Sequence, residues 1–564
     1  MNPIRVWMHR LACTAVGVLF GGAAVAAQPP GYACATAHPL ATQACMEILA
    51  GGGNAFDAAV AASAAIAVVE PTGSGLGGGG FWLLHRQADA LDVFIDGRET
   101  APAAASRDMY LDADGQADSK RSRFGPLAAG IPGEPAALEH IAEHYGSLPL
   151  STVLAPAIRY AADGFAVDAK LAGAIERFAG TMSPAARAVF LKNEHPLGVG
   201  ELLQQPDLAW TLRRLASEGA EDFYRGQIAQ RLLAAVHEAG GGWSAEDLAR
   251  YAIVERAPIV SWFLGNRIVS SPPPSAGGLA LAQVLQQLEV LGWRDDGTPA
   301  SRHLLIETLR RAYRDRAAWL GDPDFVHIPL MHLASRSYAR ELARSIDPAR
   351  ATPSSALPPA VPSSEGYNTT HLSVLDAAGN RVAATLSINL PFGSGLMAAG
   401  TGVLLNDEMD DFSSAPGVAN AYGLVGSEPN SIAPLKRPLS SMTPTFVEGP
   451  RGLLIVGTPG GSRIVTMVIQ AVLAWIGGAE LRDVVEAPRL HQQYLPDVVE
   501  LEPDYADASA QAALSAMGYT LKLSERPWGN MQAVAWYPAR GEIDAASDPR
   551  AVGQAAVAAV RKQD

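Results

Sequence analysis

Cysteine is scarce in this chain of 564 residues, which contains only Cys13, Cys34 and Cys45. Cys13 lies within an apolar run near the N-terminus, so a chain that loses this run keeps two thiols. Two thiols are too few for a thiolate-rich metal site, and neither has the His and Asn context of a nucleophilic cysteine. Cys34 and Cys45 are compatible with a disulfide and equally with two small buried thiols.

Positive charge is also in short supply, because 43 Lys and Arg residues face 57 Asp and Glu residues and leave a net charge of −14. This balance disfavours nucleic-acid binding, whereas recognition of a small substrate depends on a few local charges. With 48% hydrophobic and 18% charged residues, the composition is that of a well-packed globular protein. The sequence has no evident cluster of metal ligands, and no metal or other cofactor is expected.

An apolar run near the N-terminus, Leu11 to Val25, follows basic residues and ends in small ones. It is shorter than the roughly 20 apolar residues that a membrane-spanning helix needs. The pattern predicts that residues 1–27 form a signal peptide, which is removed after Ala26 or Ala27. We therefore expect export to the periplasm or the medium, without membrane attachment once the signal is gone.

Glycine is abundant, and Gly75, Gly77 and Gly80 have the spacing of a dinucleotide-binding fingerprint. That fingerprint requires a strand before the glycines and a helix after them. Here a predicted helix precedes them and the predicted strand Phe81–His85 follows, so neither nicotinamide nor flavin is expected. We expect the glycines to let the backbone pass close to a buried layer or a substrate.

Apolar periodicity predicts helices at His38–Leu49 and Asn54–Val69 and a mostly helical region from Ala105 to Arg350. Within that region the clearest candidates are Glu134–Tyr145, Ser151–Asp163, Gln205–Ser217, Asp222–Glu238, Leu279–Leu291 and Arg302–Trp319. Further on, strands are predicted at Gly400–Leu405, Leu453–Val456, Val498–Leu501 and Met531–Tyr537, and a helix at Thr466–Trp475. Sheets with helices on both sides fit an α/β sandwich of two stacked sheets, with a doubly wound parallel sheet as the second choice.

A proline-rich segment, Ala351–Glu365, runs into two adjacent threonines at the start of a predicted strand. Its composition favours an extended, solvated linker. The alternation after Asn368, the turn Ala377–Asn380 and the return strand Arg381–Ile388 predict a hairpin. A cut between Asn368 and Thr369 would leave a threonine with a free amine at the head of a core strand. Such an amine has a pKa of about 7.7–8.0, so the same residue could supply both a base and a hydroxyl nucleophile.

Several longer motifs resemble, in the right order, those of the gamma-glutamyltransferases, which are N-terminal nucleophile hydrolases. Those of the C-terminal part are Asn368–Ser373 (NTTHLS), Asn406–Phe412 (NDEMDDF), Lys436–Met442 (KRPLSSM) and Gly457–Arg463 (GTPGGSR). Those further upstream are Ser74–Phe81 (SGLGGGGF), Asp96–Pro102 (DGRETAP) and Pro272–Gly278 (PPPSAGG). The resemblance ends near Ala546–Arg550, so it covers essentially the whole mature chain.

The resemblance implies an αββα sandwich and a precursor that cuts itself into two subunits. Thr369 Oγ would attack the Asn368 carbonyl, and hydrolysis of the resulting ester would leave a large subunit of residues 28–368 and a small subunit of residues 369–564. Thr370 competes as a nucleophile on chemical grounds, but the family's motif puts the cut before the first threonine.

The resemblance also assigns roles to individual residues. Backbone N–H groups of Gly460 and Gly461 would stabilise an oxyanion, and Ser387 and Asn389 would bond the nucleophile and the substrate amine. A γ-glutamyl group ends in an α-carboxylate and an α-amine, each of which needs a partner of opposite charge. The carboxylate would bind Arg98, Ser440 and Ser441, and the ammonium would bind Glu408 and Asp411.

The expected function is that of an exported gamma-glutamyltransferase and glutathione hydrolase. It would pass the γ-glutamyl group of glutathione, through a γ-glutamyl-Thr intermediate, to water or to an amino-acid or peptide acceptor. The loop Pro416–Pro434 is predicted to be a lid, with Tyr422 reaching inward. Two alternatives stay open: a related acylase that removes a glutaryl-type side chain from a β-lactam, and a non-catalytic periplasmic binding protein.

Overall fold

Two sheets form the centre of the computed structural model, which describes residues 28–360, 368–413 and 428–560. From edge to edge, the first sheet contains Gln554–Ala559, Gly31–Thr36, Asn368–Leu375, Arg381–Asn389, Gly79–Arg86, Leu91–Gly97 and Val254–Arg256. The second contains Glu542–Ser547, Gln532–Tyr537, Gly452–Gly457, Thr445–Gly449, Asn266–Ser270 and Ile259–Phe263. Neighbouring strands in both sheets run antiparallel, so the second choice of a doubly wound parallel sheet is wrong.

Side chains of the first sheet alternate between two hydrophobic cores. Trp82 enters a core that includes the helix Ala55–Val69, whereas its neighbour Phe81 enters a core that includes Phe446 and Leu454 of the second sheet. This alternation follows from the two-residue period of a strand. The first sheet is therefore covered by helices on one face and by the second sheet on the other.

Helices cover the outer faces of both sheets, which confirms the αββα sandwich. The helices that share a hydrophobic core with the outer face of the first sheet are Pro39–Ala50, Ala55–Val69, Glu134–His144, Leu150–Val153, Ala155–Asp163, Ala169–Phe178, Pro184–Phe190, Pro206–Glu218, Ala220–Tyr224, Gln227–Glu238 and Ala245–Arg250. Those in the core of the second sheet are Gly277–Val290, Pro299–Trp319, Arg463–Ile476, Leu481–Glu486 and Ala508–Ala516. Three more helices are Ser119–Arg123, Leu330–Leu333 and Arg336–Arg344.

Most predicted elements are confirmed to within a few residues, including the hairpin of Asn368–Leu375 and Arg381–Asn389. Two predicted helices are each divided. Ser151–Asp163 is interrupted before Pro156, which occupies the first turn of a new helix because it has no N–H to donate. Asp222–Glu238 is interrupted at Gly226.

Besides four strands of two residues each, three strands of the main sheets lie in the region that was predicted to be mostly helical. They are Val254–Arg256, Ile259–Phe263 and Asn266–Ser270, and they extend both sheets at the edge. In contrast, the predicted strand Gly400–Leu405 shrinks to Val403–Leu404, which pairs with Met397–Ala398 outside the two main sheets.

The glycine-rich segment before the strand Gly79–Arg86 lies against other backbone, as predicted. A Cβ atom at Gly77 would come within 2.0 Å of Leu404 O, and one at Gly78 within 2.2 Å of Ser387 O. These glycines are therefore required for close approach, and they bring this segment beside the strand that carries Ser387.

Cys34 and Cys45 form a disulfide, which joins the strand Gly31–Thr36 to the helix Pro39–Ala50. The predicted signal peptide and most of the predicted lid, including Tyr422, lie outside the described residues. Within the described ranges, no helix has the length and apolar character needed to cross a membrane.

The described part of the proline-rich segment, residues 351–360, is partly exposed, but hydrogen bonds attach it to the rest of the protein, which corrects the prediction of a free linker along this part. Ser354 is buried, and its N–H donates to Asp497 Oδ2 at 2.7 Å. Ala351 N–H donates to Met517 O at 2.8 Å, and Ala360 N–H donates to the Tyr494 hydroxyl at 3.3 Å. Residues distant in sequence supply the acceptors of these bonds, and composition alone could not predict them.

Candidate active site

Thr369 lies near the start of a central strand of the first sheet, with its hydroxyl directed toward the second sheet. The Gly460 N–H donates a hydrogen bond to Thr369 Oγ1 at 3.3 Å. Only 8% of the residue is exposed. The pairing with the next strand shifts register here, because Asn368 is opposite Asn389 while Thr369 is opposite Ser387. The irregularity places the Asn368–Thr369 bond beside two polar side chains.

The carbonyl group of Asn368 accepts a hydrogen bond from Ser387 Oγ at 3.2 Å. Ser387 Oγ in turn accepts the Asn389 N–H at 2.8 Å. Asn389 has a φ of 74°, in the left-handed region that asparagine tolerates better than most residues. Its side-chain amide donates to the main-chain oxygen of Asp407 at 3.0 Å. The peptide bond predicted to be cut therefore has a fixed donor on its carbonyl oxygen.

Gly460 and Gly461 form the turn between the strand Gly452–Gly457 and the helix Arg463–Ile476. Their φ angles are 143° and 58°, which a residue with a side chain adopts rarely. The helix that follows has 14 residues, and its partially positive N-terminal end favours negative charge nearby. The turn is therefore suited to an oxyanion that forms beside Thr369.

Arg98 is buried, with 1% of its surface exposed, and it is surrounded by acceptors. Its guanidinium pairs with Glu408 at 2.7 Å and also with Asp411. It donates as well to the main-chain oxygens of Pro438 and Leu439, at 3.3 and 3.2 Å. Arg98 is therefore a buried cation, and the turn Glu408–Asp411 that pairs with it is buried as well.

Burial shifts the pKa values of this cluster. It raises the pKa of Glu408 to about 7, although the charge of Arg98 acts in the opposite direction. It raises the pKa of neighbouring Glu99 to about 8, again opposed by Arg98. Burial alone would lower the pKa of Arg98, but Glu408 and Asp411 raise it above its ordinary value. Arg98 therefore stays charged, while the carboxylates around it are sensitive to added charge.

Ser440 and Ser441 are held in place by the segment Pro272–Gly278. The Ser440 N–H donates to Pro274 O at 2.9 Å, and the Ala276 N–H donates to Ser440 O at 2.8 Å. Ser440 Oγ accepts the Met442 N–H at 3.2 Å. In the sequence this segment is recognised only as a family motif, whereas in the structure it supports the loop that borders Arg98.

A small cavity brings the predicted residues together, with about 230 Å³ of empty space. Its lining contains Arg98, Thr369, Ser387, Asn389, Asp411, Ser440, Ser441, Met442, Gly461 and Ile464. The other three predicted residues adjoin it, because Glu408 pairs with Arg98, Gly460 bonds Thr369 and Asn368 O accepts a hydrogen bond from Ser387. A larger cavity beside Arg256 and Phe325 has none of the predicted residues in its lining.

Several residues that support the cavity were not predicted from the sequence. Met442 and Ile464 line it. Asn406 donates to Gly77 O at 2.7 Å and to Gly130 O at 2.8 Å. Asp407 accepts the Leu390 N–H at 2.9 Å, and burial raises its pKa well above the ordinary value. Their position within a recognised motif could have identified three of them, Asn406, Asp407 and Met442. Their contacts could not be predicted, because the partners are distant in sequence.

Comparisons with known proteins agree with this geometry. The family model of gamma-glutamyltranspeptidase matches residues 41–558. The glutathione hydrolase proenzyme of Escherichia coli is 40% identical over 97% of this chain and 98% of its own length. Cephalosporin acylase from Bacillus halodurans has a TM-score of 0.81 at 27% identity and covers 99% of both chains. Gamma-glutamyltranspeptidase from Helicobacter pylori has a TM-score of 0.55 at 37% identity, over 57% of this chain and 93% of its own. This chain belongs to the gamma-glutamyltranspeptidase family of enzymes.

Proposed function

We propose that this chain is a precursor that cuts itself at Asn368–Thr369 and becomes a γ-glutamyltransferase and glutathione hydrolase. One observation carries the proposal: Thr369 Oγ lies beside the Gly460 N–H, while Ser387 holds the carbonyl of the bond to be cut. The products are a large subunit of residues 28–368 and a small subunit of residues 369–564, which remain together as a heterodimer.

In maturation, Thr369 Oγ adds to the Asn368 carbonyl carbon, the C–N bond breaks as the C–O ester bond forms, and the hydroxyl proton ends on the Thr369 nitrogen that is released. The Ser387 hydroxyl stabilises the charge that develops on the Asn368 oxygen, because it already donates to this atom. Water then hydrolyses the ester, which releases the Asn368 carboxylate and the Thr369 hydroxyl and leaves the Thr369 amine free.

In catalysis, the free amine of Thr369 takes the proton of its own hydroxyl as Oγ attacks the γ-carbonyl carbon of the donor. Gly460 and Gly461 N–H groups stabilise the oxyanion, and the amine passes the proton to the leaving nitrogen. The γ-glutamyl ester on Thr369 is then attacked by water or by the amine of an amino-acid or peptide acceptor. Ser387 and Asn389 position the nucleophile and the substrate amine.

The donor's glutamyl end fits the charges around the cavity. Its α-carboxylate would bind Arg98 with hydrogen bonds from Ser440 and Ser441, and its α-ammonium would bind Asp411 and Glu408. All these groups are buried and already ordered in the uncut chain, which limits the cost of arranging them when substrate binds.

The remaining assignments rest on the sequence. We propose that residues 1–27 direct export to the periplasm or the medium and are then removed. The loop Pro416–Pro434 is proposed to close over the donor, with Tyr422 reaching inward.

The test of maturation is a denaturing gel with N-terminal sequencing of the smaller band. The unmutated protein should give two bands, the smaller beginning Thr-Thr-His-Leu-Ser, and Thr369→Ala should give one inactive band. Thr369→Ser keeps a hydroxyl and serves as the matched control, which should still be cut. An active, uncut chain would refute the proposal.

A further inference from the structure

The second threonine of the pair, Thr370, has a partner on the opposite face of the strand. Its hydroxyl donates to Glu70 Oε2 at 2.7 Å, and both residues are buried. The other carboxylate oxygen, Glu70 Oε1, lies 2.5 Å from Lys170 Nζ. Thr370 Oγ therefore faces the helical layer, whereas Thr369 Oγ faces Gly460. Of the two threonine hydroxyls, only that of Thr369 therefore lies beside the cavity.

Glu70 belongs to the turn that follows the helix Ala55–Val69. Its N–H donates to Ile66 O at 2.8 Å, and its carbonyl oxygen accepts the Gly73 N–H at 2.9 Å. A Cβ atom at Gly73 would lie 3.2 Å from Glu70 Cδ and 3.3 Å from Thr369 O. The turn thus packs against the main chain of Thr369 while its carboxylate bonds the side chain of Thr370.

Cleavage changes what holds Thr369 in place. In the uncut chain its strand is continuous with Asn368, whereas after the cut Thr369 is a chain terminus, and termini are poorly ordered unless something ties them down. Thr370 is the residue next to this terminus, and the hydrogen bond from its side chain to Glu70 holds it in place. A shift of about 1 Å in a reacting group can cost about a hundredfold in rate.

We propose that Glu70, acting through Thr370, is a positioning residue that holds the nucleophile of the processed enzyme in register. The inference rests on the proposed function and adds a residue from the turn after the helix Ala55–Val69. Lys170 contacts the outer oxygen of Glu70 and is 40% exposed at its side chain, so it balances charge without orienting Thr370.

The test compares variants of the processed enzyme with γ-glutamyl-p-nitroanilide as the donor. Thr370→Val removes the donor hydroxyl at nearly constant shape, Thr370→Ser restores it, and Glu70→Gln changes the acceptor. Lys170→Met removes the outer partner alone. Thr211→Val is the matched control, because Thr211 is also a fully buried threonine and donates to Thr401 O at 2.7 Å in the helical layer.

The readouts are kcat and KM per active site, counted from the burst of p-nitroaniline, together with Tm. We expect Thr370→Val to lower kcat at least tenfold with KM within twofold, and Thr370→Ser to recover most of the loss. Lys170→Met and Thr211→Val should keep kcat within threefold. The Thr370→Val, Glu70→Gln double variant should lose no more than Thr370→Val alone, because once the Thr370 hydroxyl is absent a change at Glu70 has no hydrogen bond left to weaken.

The inference would be overturned if kcat per active site were unchanged in both Thr370→Val and Glu70→Gln, or if a lower Tm were the only effect of these two changes. Additive losses in the double variant would overturn it as well. A variant that folds but stays uncut counts in favour of the inference, since maturation uses the Thr369 hydroxyl that Thr370 and Glu70 are proposed to position. If Thr370→Val does not fold, the inference is judged from kcat per active site in Glu70→Gln and Thr370→Ser. Failure of the proposed function looks different, because the unmutated chain would then be uncut or inactive.

Discussion

Arg98 is a buried cation with three carboxylate partners, Glu408, Asp411 and, at 3.8 Å, Glu99. A zwitterionic glutamyl group would bring one negative and one positive charge to this cluster and leave its balance unchanged. A glutaryl group would bring a carboxylate alone, to a site that already holds more carboxylates than cations. In a buried site, where charges are weakly screened, this difference favours the glutamyl donor over the glutaryl one.

Selectivity between the two donors should depend on Asp411. A glutaryl carboxylate that binds Arg98 would draw the guanidinium away from Asp411 and bring no ammonium in its place. Asp411 would then lose its cation, which costs roughly 2–5 kcal/mol, or about 30-fold to several thousandfold in kcat/KM. We expect γ-glutamyl anilides to be cleaved faster than glutaryl anilides by such a factor, and Asp411→Asn to narrow the gap by slowing the glutamyl substrate.

The control for Asp411→Asn is Asp410→Asn. Asp410 is the neighbouring buried aspartate, but it accepts a hydrogen bond from Ser122 and does not line the cavity. Its substitution should leave the ratio of the two kcat/KM values unchanged. Comparable values for both anilides in the unmutated enzyme would instead favour the glutaryl acylase.

Glu134 should make stability depend on pH. Burial raises its pKa from 4.5 to about 8, although a 3.0 Å hydrogen bond from Ser74 acts in the opposite direction. The folded chain therefore holds this proton more tightly than the unfolded chain. Its contribution to stability is fully present below pH 4.5 and is lost as pH rises through about 8.

We expect the free energy of unfolding to fall between pH 5 and pH 8. The fall should be smaller for Glu134→Gln, because this variant has no carboxyl group at this position to lose a proton. Urea denaturation of both forms in the uncut Thr369→Ala background measures this difference, because a single chain can refold. A difference between the two forms that stays constant across this range would contradict the assigned protonation.

At the scale of elements, local patterns predicted what depends on near neighbours. The alternation after Asn368 predicted the hairpin, and Gly77 and Gly80 were predicted to allow a close backbone approach. The strands between Val254 and Ser270 were missed because three to five residues are too short for a clear period, and Val260 and Trp262 are exposed on an edge strand. Glu70 was missed because a single glutamate after a helix has no local signal of a partner 300 residues away.

The segment of residues 351–360 should remain attached after cleavage. Asp497 accepts the Ser354 N–H and pairs with the buried guanidinium of Arg310. Asp497→Ala would leave these donors without that acceptor, at a cost of roughly 1–3 kcal/mol. We expect a lower Tm for the processed enzyme. Glu480→Ala, which removes an exposed partner of Arg451, is the control and should leave Tm unchanged. Equal Tm values for the two variants would contradict the anchoring role.

At the scale of the whole molecule, the two predicted subunits share both sheets. In the first sheet, Gly31–Thr36 lies between Gln554–Ala559 and Asn368–Leu375, so a strand of the large subunit has small-subunit strands on both sides. Separation would expose the edges of several strands and both cores. We expect the fragments to elute together in size-exclusion chromatography and to separate only under denaturing conditions. Fragments that separate in native buffer would contradict this interleaving.

The same interleaving makes cleavage an irreversible step for folding. The uncut chain can regain its fold in a reaction whose rate does not depend on concentration, because all strands belong to one molecule. Once Asn368–Thr369 is cut, two polypeptides must meet before Gly31–Thr36 can enter its place, so refolding becomes second order and slows on dilution. The processed enzyme then persists for as long as its unfolding barrier allows, and its durability is a lifetime rather than an equilibrium.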